Sequence, residues 1–277
     1  MVYGRRARLL SLAGLVVALT APPARAQADA VELLFQLKPE ETLRYTVVRS
    51  SMHWGQVYVN GVARTFLSRD STTLREDIRV EGVGEDGTMS LEVTQQEIQT
   101  TRASGLNQAL PHFNGKIRTN GEVVETGVLG PRYFHIGLPG RAVSPGESWT
   151  YKQKGVSWDI TEESNTILGT DITFTATLVS VDRAGGDQVA HVQIKGEGMI
   201  DSSAAYRTFE GSVLLKGRSP IHVSGEAAWS IGTGRLIRLR EETSFEFPVE
   251  VVFQGQKFDG KGKLTLTEER EPLSSPN

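Results

Sequence analysis

The chain contains no cysteine. That absence removes disulfide staples, thiolate nucleophiles and Cys-ligated metal sites together. It also excludes a lipid-anchored start, because no Cys follows the N-terminal apolar run. Helical periodicity is nearly as scarce. The one stretch that reads toward helix is Ala103 to Leu110, stopped by Pro111, and it lacks a convincing apolar stripe. After residue 26 no run is apolar enough to cross a bilayer as a helix. There are five His, and no two have a metal-binding spacing such as H-x-H or H-E-x-x-H. The G-x-S-x-G elbow of hydrolases, a phosphate-cradling Gly loop before a helix, and the EF-hand pattern are all missing.

What is present begins with a targeting pattern. Arg5, Arg6 and Arg8 precede an apolar run from Leu9 to Ala21, which leads to Ala24-Arg25-Ala26. This order predicts a secretory signal peptide over residues 1–26. The run is shorter than the roughly 20 residues a spanning helix needs. Cleavage there removes four Arg and no acidic residue, leaving 26 basic against 33 acidic side chains, a net charge of −7. Such a balance disfavours nucleic acid and acidic membrane surfaces as partners, since both need a positive footprint. The remaining 251 residues (277 less 26) are ample for a core without disulfides.

The remainder reads as strands and turns. Thr42 to Val47, Asp171 to Leu178 and Lys263 to Thr267 alternate apolar and polar side chains. A period of two puts one face on a core and the other in water. Asn-Gly at 60–61, 114–115 and 120–121, and Asp-Gly at 86–87 and 259–260, are hairpin-turn dipeptides. The expected fold is all-β: long antiparallel hairpins forming two related, packed β-sheets or half-barrels, with little helix. The expected organisation is an N-terminal β-half over 27–130, a Pro/Gly-rich connector over 131–146, a C-terminal β-half over 147–270, and a disordered tail over 271–277. The halves echo each other. Thr42-Leu43-Arg44-Tyr45 matches Ser148-Trp149-Thr150-Tyr151, and Thr119 to Val124 matches Gly232 to Ile237. An internal duplication and the generic likeness of hairpins both account for this.

Three stretches carry a family resemblance. They are Pro39-Glu40-Glu41-Thr42-Leu43-Arg44-Tyr45, the Leu138-Pro139 connector running into Pro145-Gly146-Glu147-Ser148-Trp149, and the late turn of Gly232 to Gly234. Together they resemble a group of uncharacterised exported bacterial β-proteins. The resemblance implies a duplicated β-architecture, no established activity, and no catalytic residues to transfer.

Chemistry is thin. Ser148 and Lys152 are one residue too far apart for S-x-x-K. Glu162-Glu163, Glu241-Glu242 and Glu268-Glu269 are neighbours that point to opposite faces of a strand, so none of the three pairs shares a site, and they read as solvated edges or loops. His53-Trp54, His112-Phe113, Tyr133-Phe134-His135 and Trp158 fall outside the clean strands. Of these aromatics, Phe113, Tyr133 and Phe134 are the candidate ligand-binding residues, at the mouth of an apolar cavity. Plugging the open end of a β-core is the competing role. No cofactor and no metal is expected. The best-supported function is a non-enzymatic periplasmic or secreted β-protein that binds an apolar ligand or an envelope protein. The alternatives are a structural or adhesive envelope module and a hydrolase with a dispersed site.

Overall fold

The computed structural model describes residues 30–59, 61–101, 113–126, 136–159, 167–208, 211–253 and 256–273. The helix considered over Ala103 to Leu110 lies outside them. Within them are thirteen strands and no helix. The N-terminal half holds β1 (Val31–Glu32), β2 (Thr42–Val59), β3 (Val62–Val83), β4 (Met89–Thr100), β5 (Phe113–Ile117) and β6 (Val123–Thr126). After β7 (Ala142–Val143) come β8 (Ser148–Asp159), β9 (Ile167–Ala184), β10 (Asp187–Thr208), β11 (Gly211–Ser230), β12 (Arg235–Phe253) and β13 (Gln256–Pro272). Eleven strands form one antiparallel sheet in the order β6-β5-β4-β3-β2-β13-β12-β11-β10-β9-β8, and β1 pairs with β7.

The protein is therefore all-β, and its two halves share one continuous sheet. The seam is β2 against β13, from Val57 opposite Gly260 to Tyr45 opposite Pro272. Strand β13 runs past residue 270, where a disordered tail was expected.

Alternation explains the strands. On β9, Ile172, Phe174, Ala176 and Leu178 are buried, while Asp171, Thr173 and Thr175 between them are exposed. Turns form at Gly61, Gly87 and Gly121, with φ of 76°, 77° and 79°. Two of the predicted turn dipeptides instead lie inside strands. Asn114-Gly115 is within β5 and Asp259-Gly260 within β13; the chain reverses between Phe253 and Gln256. At Gly260 the absent side chain lets strands close up, because a Cβ there would collide with the Gln56 carbonyl. Elsewhere aromatic rings cover glycines across the ladder. Phe174 faces Gly196 and Phe247 faces Gly262. Tyr151 stacks on Phe174 with centroids 4.9 Å apart.

The sheet is curled, and its concave side is filled by the chain itself. Leu33, Phe35 and Leu37 enter from the N-terminal segment, and Ile136, Leu138 and Val143 from the connector. The Phe35 amide donates to the Thr119 carbonyl at 2.7 Å, and the Phe35 ring meets Trp229 edge-on at 4.7 Å. Strands β6 and β8, the two edges, do not pair with each other. The connector spans them: the Leu138 amide donates to the Asn120 carbonyl at 2.7 Å, and Trp149 Nε1 donates to the Gly137 carbonyl at 2.6 Å.

The turn before β6 is held tightly. A Cβ on Gly121 would lie 2.5 Å from the Ile136 carbonyl oxygen, and the residue's φ is positive. Gly121→Val is expected to break the turn and to unseat the connector, because a β-branched residue resists positive φ. A thermal unfolding midpoint unchanged from the wild type would refute this placement.

Candidate functional site

Three places in the fold can hold chemistry. The first is a buried ionic circuit on the concave side, where β2, β3, β4 and β13 run side by side. Arg270 Nη1 lies 3.4 Å from Glu76 Oε1, and Arg270 Nη2 donates to Glu268 Oε1 at 3.1 Å. Arg49 Nε donates to Glu268 Oε2 at 2.8 Å, and Arg49 Nη1 reaches Gln95 Oε1 at 3.5 Å. Gln95 Nε2 closes the loop by donating to Glu76 Oε2 at 2.6 Å. The two cations and two anions cancel. Glu76 is wholly buried and Arg270 is 2% exposed.

Burial opposes the charge on Arg270, but Glu76 and Glu268 outweigh it and hold the guanidinium above its ordinary range. The same guanidinium sits 5.9 Å from the Tyr45 ring. Burial pushes the Tyr45 phenol up to about 12, with Arg270 acting in the opposite sense. Within the circuit each carboxylate faces a guanidinium and each guanidinium a carboxylate.

Adjacent glutamates behave in part as expected. Glu268 faces inward to Arg49 and Arg270, whereas Glu269 faces outward to Arg240 at 3.2 Å. Glu241 is buried and Glu242 is exposed. The expectation of solvated edges fails for these two pairs. Strands β12 and β13 lie in the middle of the sheet, so alternation drives one glutamate of each pair into the interior. Burial, with Glu241 as the next cause, also raises the Tyr151 phenol above its usual range. The pair Glu162-Glu163 lies outside the described residues.

The second place is a trough of about 680 Å³ on the convex face. Small residues, Ser224 and Ala228, form its floor, and His191, Gln193, Arg238, Arg240 and Glu242 stand around it. His191 Nε2 lies 3.0 Å from Asp182 Oδ2, with both side chains substantially exposed. Ser180 stands opposite His191 in the β9–β10 ladder. His222 is an exposed residue of β11.

The third place is the free edge of β8. It carries Lys152, exposed, and a register shift between Gln153 and Val156 against β9. Lysine and a bulge are devices that blunt an edge against further pairing.

The predicted ligand-binding aromatics lie only partly within the described residues. Phe113 opens β5 opposite Val93; Tyr133 and Phe134 lie outside the described residues. His53-Trp54, expected outside the strands, belongs to β2. No sequence signal marked the ionic circuit, whose members are as much as 219 positions apart.

No protein-family model matches the chain, and no curated protein matches it. Two solved structures are similar over 82% of this chain and 100% of their own. One, described as "Asymmetric conductivity of engineered proteins", is 10% identical with a TM-score of 0.24. The other, a mutant of Rh. blastica porin, is 11% identical with a TM-score of 0.22. Scores this low establish no common fold.

Proposed function

We propose that the chain is a non-enzymatic, exported β-protein of the bacterial envelope that holds a segment of another protein on the convex face of its sheet. Residues 1–26 serve export in this reading. The observation that carries it is the pairing of a filled concave side with an open convex trough. An apolar cargo finds the described core already occupied by Leu33, Phe35, Leu37, Ile136 and Leu138. The trough, by contrast, is open to solvent and mixes charges of both signs, Arg238 and Arg240 with Glu226 and Glu242. A mixed-sign rim with a small-residue floor suits a polar chain segment better than an acyl chain.

Two measurements test this. Native mass spectrometry of protein purified from an exporting cell should give the bare polypeptide mass; a retained lipid would return the reading to carriage of an apolar ligand. A photo-crosslinking residue at Ser224 should join the chain to one discrete protein, and Arg238→Glu should abolish the adduct. A crosslink pattern indifferent to that charge reversal would end the proposal.

A further inference from the structure

The convex face changes character along its strands. Over the middle it is charged: Lys195 and Glu197 are exposed there, and Arg240 pairs with Glu269. Toward the β2–β3 turn the outward positions become Trp54, opposite Leu67, and Tyr58, opposite Ala63. Tyr58 is 52% exposed and Leu67 56%. Among the described residues the hairpin lacks a neighbouring strand only on its β3 flank, while β13 runs beside β2 almost to the turn. Pairing with β4 ends at Thr72 and pairing with β13 ends at Val57.

Basic side chains flank this patch. Lys261 and Lys263 are exposed opposite Gln56 and Trp54, and Arg69 is exposed opposite Met52. Lys261 Nζ lies 5.8 Å from the Trp54 ring. Asp259 is exposed on β13 itself, two residues from Lys261, and further acidic groups stand across β13 on β12. Glu246 is opposite Lys263, and Glu250 is opposite Asp259 and bonded to Lys257.

We propose that this hairpin end docks on an anionic lipid surface. Indole and phenol groups settle at headgroup level, apolar side chains beside them reach the acyl boundary, and lysines meet lipid phosphates. Trp54 and Tyr58, then Leu67, and finally Lys261, Lys263 and Arg69 supply the three parts. The net charge of the whole chain does not oppose this. An 18-residue strand such as β2 is about 60 Å long, whereas charges act through salt over about 8–10 Å. The acidic turns at the other end, with Glu85, Asp86, Asp182 and Asp187, lie far outside that range. The inference stands apart from capture in the trough, which is lined by other residues.

The test uses the purified protein with vesicles of phosphatidylcholine, alone or with phosphatidylglycerol. Co-sedimentation with the anionic vesicles only, lost in high salt, is the expected result. Lys261→Glu together with Lys263→Glu should lower the partition coefficient about tenfold or more. Leu67→Ser should weaken binding with circular dichroism unchanged. Trp54→Phe should keep binding but remove a blue shift in tryptophan emission. No sedimentation with anionic vesicles overturns the proposal, and so does binding indifferent to the lysine reversals. A concentration-dependent dimer abolished by Leu67→Ser also overturns it, by assigning the patch to a second copy of the chain.

Discussion

Arg270→Met is expected to lower the unfolding free energy by about 3–5 kcal/mol, because it strands a buried charge. Glu76 has no solvent to turn to. It would keep Gln95 as a donor but lose the cation that balances it. The effect therefore comes more from the orphaned carboxylate than from the lost contact. Adding Glu76→Gln should recover much of the loss, since a neutral amide beside methionine leaves no unmatched ion. Arg240→Ala supplies the contrast. Its pairing with Glu269 is exposed, and such pairs contribute about 0–1 kcal/mol. Urea unfolding of the four proteins decides the matter. If Arg270→Met is as mild as Arg240→Ala, the circuit is not buried as described.

Phe174→Ala should destabilise by about 3–5 kcal/mol as well, through the cavity left by a wholly buried ring. The ring has two further tasks. It stacks on Tyr151, and it lies over Gly196, where a Cβ would come within 2.7 Å of its Cε1. Gly196→Ala alone should therefore be unfavourable. In the Phe174→Ala background the same methyl group enters vacated space, so the two changes together should cost less than their sum. Simple additivity in a double-mutant cycle would show that ring and glycine do not meet.

The parts of the fold readable in the sequence are those set by neighbours in the chain. The inward face of β9 and the turns at Gly61, Gly87 and Gly121 follow from side-chain period and from backbone freedom at glycine. Trp149 and Phe174 fall on the buried side, as their alternation implies. What composition conceals is contact between distant strands. Asp259-Gly260 has the residues of a turn, yet its glycine serves close packing between β13 and β2. The Arg49–Glu268 contact depends on β2 lying beside β13, which no local pattern announces. Whole-chain charge is limited for a related reason: it averages over a surface whose ends are many screening lengths apart and describes no single patch. A search for aromatics outside the strands misplaces Trp54, which belongs to β2, and passes over Tyr58 and Leu67 on the same long hairpin.

The placement of β13 has a consequence for how the chain becomes protein. The strand that comes after all others in sequence supplies the seam between the two halves. Until it arrives, β2 and β12 each present an unsatisfied flank, and the Arg49–Glu268–Arg270 contacts have no second party. Pairing across more than two hundred positions carries a heavy loop-closure entropy and makes assembly slow. A polypeptide wired this way leaves its sheet in two parts until β13 has been made, and only then can the halves join.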